Sequence, residues 1–458
     1  MPSYTIPCII HGNGGATPMK AADEIKSGLA WWQLSLLGVA CTLGTGFFLG
    51  SGIGLAIGGA SLLAGFLLAG LGTYCMLDGL LRMTAAQPQH GTFRSYVRLA
   101  YGEWAGFSSG WLYWGSQVMI MGSQLAALSL FTRFWLPAMP DWVFAIIYAA
   151  LAIGVILLGA QAFERSEHIF ALVKVAAVAM FLLIASAAVI GWLEGGKHAP
   201  KLPLTHAVWL PNGLLGAWSS LLYAFYAFGG AEMLGLFVAK LREPEDVRKA
   251  SHVMLILMTA LYVLSLFLAL TILPLTALDS AKSPFQTALD GYPLPFVPHI
   301  FTAILIIAAF STLAASFFAV TAILVALAKG LDAPAVFLRQ TKGRRQIPYA
   351  AVLFTALALL AAVVLALLLP EQLYTYISTA AGLTLLVNWL FILAASGKLL
   401  PAAPWSAAKR YAGMLLILTA IVGAAVHPLS RTGFAIALLF ICGIALITWL
   451  RHRPKRQK

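Results

Sequence analysis

The sequence predicts an all-α integral membrane protein with twelve transmembrane helices. Hydrophobic residues make up 61% of its 458 residues, charged residues make up only 10%, and the mean hydropathy is +0.89. A soluble domain carries roughly 25% charged residues, so lipid must cover much of this chain. The apolar residues also fall into twelve stretches of about 20 residues or more, the length of helix that crosses a bilayer.

These twelve stretches are spans 1 to 12. In order, they cover residues 30–57, 59–83, 104–136, 142–161, 168–193, 211–241, 248–275, 296–330, 348–369, 371–396, 408–427 and 432–451. Residues 1–29 form a polar N-terminal tail without the apolar core of a signal peptide, and residues 452–458 form a basic C-terminal tail. No connecting segment is long enough for a soluble domain.

The basic residues predict the orientation. Of the 29 Lys and Arg residues, 23 lie in the tails or at the loops and helix ends on the side of the termini, five lie on the opposite side, and Lys174 lies inside span 5. Basic residues accumulate on the cytoplasmic side of a membrane protein. The sequence therefore predicts a multi-pass protein of the cell (inner) membrane with both termini in the cytoplasm.

The net charge of +13 has the same explanation. Basic residues beside the spans meet anionic lipid headgroups, so membrane lipids are expected partners and nucleic acid is not. The cysteines, with no CxxC spacing, are read as small hydrophobes. No metalloprotease motif, paired-carboxylate cluster or nucleophile motif is present, so neither enzyme activity nor a metal or cofactor is predicted.

Two spans contain glycine clusters that predict interrupted helices. Span 1 contains Gly44 to Gly52, and span 6 contains Tyr226 to Glu232. Close packing of helices against small residues is one explanation. Interrupted spans at corresponding positions of two halves instead indicate a transporter site. The positions predict an inverted five-plus-five repeat, with residues 30–193 as the first half, 211–396 as the second, and 408–451 as two additional helices.

The predicted interruptions suit a zwitterion. Free N–H groups at Thr45 and Gly46, at the positive end of a half-helix, can bind a carboxylate. Free carbonyls near Thr42, Tyr226 and Gly229 can accept hydrogen bonds from an ammonium group. The sequence therefore predicts a site for the zwitterionic end of an amino acid.

Three stretches of the sequence resemble the amino acid–polyamine–organocation superfamily, and within it the bacterial amino acid permeases. The first is Gly44 to Gly52. The second runs from Pro88 through the sequence WAGF at 104–107 to Trp114. The third is Ala227 to Glu232, followed by Glu243-Pro244. The resemblance is strongest over spans 1–6.

The resemblance implies a leucine-transporter-like fold and backbone binding of the substrate. It also implies that spans 3, 6, 8 and 10 read the substrate side chain. By position, the candidates are Ser116, Gln117, Met121, Phe225, Phe228, Ser378 and Thr379, each of which could equally be a packing residue. Tyr226 or Phe228 could act as an aromatic gate. The sequence departs from the family at Arg82, Lys240 and Ala322, so its cytoplasmic gate is expected to differ, with Asp78 pairing to Arg82.

Lys174 is the main candidate for ion coupling, because a charge inside a span is costly and usually functional. It could instead extend its ammonium group to the headgroups, since it lies about 9 Å from the membrane edge at 1.5 Å per residue. In sodium-independent relatives, a lysine of span 5 occupies the place of sodium between spans 1, 5 and 8. That resemblance implies Ser311 and Thr312 as its neighbours. Glu232 is the second candidate for proton handling, or a structural cap of span 6.

The expected function is proton-coupled symport of a neutral amino acid. The presumed pocket contains no acidic residue besides Glu232, which disfavours a cationic substrate, and Phe225, Phe228 and Met121 favour a hydrophobic one. The alternatives are an amino acid exchanger, a sodium-coupled transporter of the same fold, a channel and a non-transporting sensor.

Overall fold

The computed structural model describes residues 30–86, 93–158, 160–238, 241–278, 282–341, 346–368, 373–401 and 403–452. The predicted tail 1–29, residues 453–458 and Lys240 lie outside these ranges. Within them, every regular element is a helix, as the composition predicts. The helices begin and end within a few residues of the predicted spans, except for span 5, whose helix begins at Ala160, eight residues earlier.

The helices keep the span numbers. Spans 1 and 6 are interrupted and are described below. The other spans are Leu62–Ala86 (2), Glu103–Thr132 (3), Asp141–Leu157 (4), Ala160–Val189 (5), Val247–Ile272 (7), Val297–Lys329 (8), Tyr349–Leu368 (9), Leu373–Leu399 (10), Pro404–Ala424 (11) and Pro428–His452 (12). Short helices at Arg94–Tyr101, His206–Trp209 and Pro284–Leu289 lie in the connections.

Eight helical stretches of the described residues are long and apolar enough to cross a membrane. They are Thr45–Ala86, Ile169–Val189, Gly213–Met233, Val247–Ile272, Val297–Lys329, Leu373–Leu399, Pro404–Ala424 and Pro428–His452. The first contains both the end of span 1 and span 2, and shorter apolar helices lie at Asp141–Leu157 and Tyr349–Ala361. The class of fold is therefore confirmed, and the count of twelve crossings stays a prediction.

Span 3 is the central scaffold helix. It packs along spans 8 and 10, while the second part of span 1 packs along span 6. A tight turn at Gly59 (φ +61°) joins span 1 to span 2. A side chain there would lie 2.4 Å from the Val208 carbonyl oxygen, so only glycine fits. This packing brings the two interrupted spans against each other and beside span 3.

Candidate functional site

Span 1 is interrupted at mid-length, as the glycine cluster predicts. A first helix covers Trp31–Thr42, Leu43 and Gly44 are extended, and the helix resumes at Thr45 and continues to Gly58 with one irregular residue at Leu49. Among the described residues, no hydrogen-bond acceptor is found for the backbone N–H groups of Thr45 and Gly46. These two peptide groups are therefore available to a ligand.

Span 6 is interrupted at the corresponding position. Its first helix, Gly213–Ala227, ends before Phe228, and a 3-10 turn at Ala231–Met233 leads into the short helix Leu234–Phe237. Gly230 has a φ of +101°, a conformation that glycine adopts without the steric penalty of other residues.

The two interruptions lie against each other. A side chain at Gly46 would lie 3.0 Å from the Tyr226 carbonyl oxygen, and one at Gly230 would lie 3.0 Å from the Cys41 carbonyl oxygen. Glycine is thus required at both positions because the backbone of one span approaches the other. Thr42 and Gly229 belong to the same contact region: Thr42 lies beside Gly230, and the Gly229 N–H donates to the Tyr226 carbonyl at 3.0 Å.

Two tyrosine hydroxyl groups donate to backbone carbonyls at the interruptions. Tyr374 of span 10 donates to the Thr45 carbonyl at 2.9 Å, and Tyr262 of span 7 donates to the Ala227 carbonyl at 2.9 Å. All four groups are buried. A buried carbonyl without a partner is costly, so the Tyr262 hydroxyl stabilises the end of the first helix of span 6. The Thr45 carbonyl also accepts from the Leu49 N–H at 2.9 Å, and the Tyr374 hydroxyl adds a second hydrogen bond to it. Neither tyrosine is predicted from the sequence, because each lies far along the chain from the carbonyl that it contacts.

Two adjacent residues of span 3 form hydrogen bonds to the interrupted spans, Ser123 to span 6 and Gln124 to span 1. The Thr45 hydroxyl donates to Gln124 Oε1 at 2.7 Å, and the hydroxyl groups of Ser123 and Tyr226 are hydrogen-bonded at 2.8 Å. All four side chains are buried. Ser123 and Gln124 are functional candidates that the sequence did not indicate, although Gln124 lies about one helical turn after Met121 and two turns after Gln117, which were selected on the same span.

Lys174 lies inside the protein, and its side chain does not extend to the surface. Lys174 is only 1% exposed, and its ammonium group donates to the Thr312 hydroxyl at 3.5 Å. A side chain at Gly44 would lie 2.9 Å from that same hydroxyl. Spans 5, 8 and the interruption in span 1 therefore meet at Thr312. Ser311 is buried next to it in span 8.

The Glu232 carboxylate is hydrogen-bonded at the interruption in span 6. One carboxylate oxygen accepts from the Gly230 N–H at 3.1 Å, and the other accepts from the Tyr113 hydroxyl at 3.2 Å. The side chain is buried. The position fits the structural cap that the sequence suggests, and it also places an ionisable group inside the protein beside the interruption.

The predicted aromatic residues separate into two groups. Tyr226 borders span 1, since its ring lies within reach of Gly46 and Gly50. Phe225 packs against Gly72 of span 2 and against Trp389. Phe228 packs against Phe66 and Tyr262. Of the two candidate gate residues, the structure brings only Tyr226 to the interruption in span 1.

The remaining predicted residues are polar or flexible side chains of spans 3 and 10, and all are buried. Ser378 donates to its own helix at the Thr375 carbonyl, and Thr379 is hydrogen-bonded to Tyr223 of span 6 at 2.8 Å. The Ser116 hydroxyl lies 3.4 Å from the Ala381 carbonyl. Gln117 and Met121 are buried residues of span 3. The roles of these residues in substrate reading stay predictions.

The predicted pair at the end of span 2 is present but shared. The Arg82 guanidinium lies 3.9 Å from the Asp78 carboxylate, while the Lys409 ammonium of span 11 lies 3.0 Å from the same oxygen. Asp78 therefore ties span 2 mainly to span 11.

Comparison with known proteins gives concordant matches over almost the whole chain. A family model described as "Amino acid permease" matches residues 33–450. "Uncharacterized transporter YcgH" of Bacillus subtilis is 44% identical, covering 95% of this chain and 97% of that protein. "Aromatic amino acid transport protein AroP" of Corynebacterium glutamicum is 29% identical over 83% of each chain. "L-asparagine permease" of Escherichia coli is 28% identical over 92% of this chain and 88% of its own length.

Proposed function

The chain belongs to the amino acid permease family, and we propose that it is a secondary active transporter that carries a neutral, hydrophobic amino acid together with a proton by alternating access. The observation that supports this best is the contact between the two interrupted spans. Broken helices at membrane depth are tolerated where they line a binding cavity.

The substrate backbone would bind to peptide groups of both interruptions. The unpaired N–H groups of Thr45 and Gly46 would receive the carboxylate at the start of the resumed helix. Carbonyls near Thr42, Tyr226 and Gly229 would receive the ammonium group. Binding by peptide groups alone would accept any α-amino acid, so side-chain selectivity would come from the other lining residues.

A neutral, hydrophobic side chain fits the surroundings of Tyr226. Its ring packs with Ile120 of span 3 and Ala381 of span 10, and Glu232 is already engaged by Tyr113 and Gly230. A cationic side chain would therefore meet no available carboxylate among these residues. Several relatives are named for aromatic amino acids, which agrees with this substrate class, whereas the asparagine permease shows that the family also includes polar substrates.

Lys174 would couple the proton to the substrate. When protonated, its ammonium group donates to Thr312, which contacts Gly44 at the interruption in span 1. Loss of the proton would remove the charge and one of the three N–H donors, so this link between spans 5, 8 and 1 would weaken. The protonation state would then bias span 1 toward one of two positions. Glu232 is the second group that could carry the proton.

Uptake by proteoliposomes tests this proposal. Purified protein is reconstituted and given an inward proton gradient, an inward sodium gradient, or internal unlabelled amino acid, and the uptake of each labelled amino acid is measured. We expect saturable accumulation under the proton gradient only. A requirement for sodium or for internal amino acid would instead identify a sodium-coupled transporter or an exchanger. Non-saturable flux would indicate a channel, and binding without flux a sensor.

The predicted orientation completes the proposal. The protein would lie in the inner membrane, with both termini in the cytoplasm. A C-terminal green fluorescent protein fusion should fluoresce, whereas a C-terminal alkaline phosphatase fusion should be inactive; the opposite pair of results would reverse the orientation.

A further inference from the structure

Gln124 carries a hydrogen-bond donor that the protein leaves unused. The residue lies on span 3 and is only 2% exposed. Its amide oxygen accepts from the Thr45 hydroxyl at 2.7 Å. Among the described residues, no atom accepts a hydrogen bond from its amide nitrogen, Nε2. Amide groups of nearly buried side chains are normally hydrogen-bonded, so a donor that makes no hydrogen bond to these residues is available to a ligand.

The Thr45 hydroxyl fixes which end of the amide is available. Because this hydroxyl donates to Oε1, the amide must present its N–H₂ group on the other side. The Thr45 carbonyl is already occupied by the Tyr374 hydroxyl at 2.9 Å. The N–H groups of Thr45 and Gly46 remain as donors, and Nε2 of the side chain that contacts Thr45 adds a further donor.

We propose that Gln124 Nε2 donates a hydrogen bond to the carboxylate of the amino acid substrate, beside the N–H groups of Thr45 and Gly46. This inference rests on the proposed function and names a side chain that reads the carboxylate. A group of three donors without a positive side chain selects an anionic oxygen by hydrogen bonding. Amino acids with a free carboxylate would bind better than their amides.

Gln124→Glu separates this role from a structural one. The variant keeps an oxygen that accepts from Thr45, so the tie between spans 1 and 3 is preserved. It replaces the donor with a carboxylate, which repels a substrate carboxylate but can accept from the N–H₂ group of an amino acid amide. A residue that only holds span 1 in place would change the affinity for both ligands equally.

The measurement is ligand affinity for wild type and variants. The twenty amino acids are first screened by thermal shift, and the ligand that stabilises wild type most is compared with its own carboxamide. Gln124→Glu should weaken binding of the acid by about 10- to 100-fold, the effect of a hydrogen bond to a charged group, and change binding of the amide by less than about threefold. Gln124→Met should weaken the acid more than the amide.

Ser129→Ala is the matched control on the same helix. Within the described part of the chain, its hydroxyl is hydrogen-bonded to the Leu125 and Asp141 carbonyls alone, so both affinities should stay at the wild-type values. Equal weakening of acid and amide in Gln124→Glu would overturn the inference while leaving amino acid transport intact. If no amino acid binds wild type, the proposed function fails first, and this inference fails with it.

Discussion

The interruptions in spans 1 and 6 share one stabilising contact, a hydrogen bond from a tyrosine, and differ in how far residues of their own span stabilise them. At each, a buried tyrosine hydroxyl from a neighbouring span donates to a backbone carbonyl at 2.9 Å, Tyr374 to Thr45 and Tyr262 to Ala227. In span 6, however, Gly230 adopts a left-handed conformation and Glu232 of the same span accepts its N–H. The span 6 interruption is therefore stabilised largely from within its own segment.

Span 1 is held from outside its own segment. Leu43 and Gly44 are extended, a conformation open to any residue, and no side chain of span 1 caps the resumed helix. Besides the backbone of span 6, its contacts include Gln124, Tyr374 and the Lys174–Thr312 pair. A conformation fixed by other helices can change when a ligand or a proton alters those contacts. We expect span 1 to be the responsive element and span 6 the more rigid one.

Gly230→Ala should have the largest effect, because it disfavours the left-handed conformation at the interruption in span 6. A left-handed conformation costs a non-glycine residue about 1–2 kcal/mol, and the added carbon would lie 3.0 Å from the Cys41 carbonyl. We expect the initial uptake rate to fall more than tenfold and the melting temperature to fall. Gly443→Ala is the control, since no atom lies within 4 Å of the added carbon. Wild-type uptake by Gly230→Ala would contradict the rigid role of span 6.

Lys174→Met should remove the dependence of substrate accumulation on the proton gradient, by breaking the link between Lys174 and span 1. The variant keeps an unbranched side chain, one atom shorter, that cannot carry a proton, so accumulation driven by a pH gradient should fall about tenfold or more. Exchange of labelled for unlabelled amino acid, which needs no net proton movement, should persist. The control is Lys249→Met, whose ammonium stacks over Trp31 at 4.2 Å, away from Thr312. Unchanged accumulation by Lys174→Met would remove Lys174 from the coupling mechanism.

Glu232→Gln distinguishes a cap from a proton carrier. The amide oxygen can still accept from the Gly230 N–H, so the cap is largely kept while the charge is lost. If Glu232 is a cap, we expect a two- to fivefold lower uptake rate with the pH dependence of wild type. Tyr113→Phe, which removes only the second hydrogen bond to the carboxylate, should have a still smaller effect. Loss of pH dependence in Glu232→Gln alone would assign the proton to span 6.

Tyr374→Phe and Tyr262→Phe each remove the tyrosine hydrogen bond at one interruption, and they should have the smallest effects. Each removes one buried hydrogen bond, which costs about 0.5–1.5 kcal/mol. The Thr45 carbonyl keeps its hydrogen bond from the Leu49 N–H in Tyr374→Phe. Both should lower the melting temperature by a few degrees. Only Tyr374→Phe should change the KM for the substrate, because only span 1 is expected to respond. Equal changes in KM would show that the two interruptions behave alike.

The sequence predicted what local patterns encode. Glycine clusters predicted both interruptions, because glycine weakens a helix wherever it lies, and the apolar stretches predicted the helix bounds. The burial of Lys174 near Thr312 followed the family resemblance. Partners contributed by other helices could not be predicted: Gln124, Ser123 and Tyr374 reach the interruptions through packing of helices that are distant in the chain. The packing of Phe225 and Phe228 into the core depends on which face of the helix turns inward. That face could not be predicted, because span 6 is apolar on all sides.

The most direct test of the central claim is an experimental structure of the protein with its amino acid substrate bound, the substrate being the ligand identified by thermal shift. We expect density for the amino acid between spans 1 and 6, with its carboxylate oxygens within hydrogen-bond distance of the N–H groups of Thr45 and Gly46. A substrate bound elsewhere, with these two N–H groups unengaged, would contradict the account.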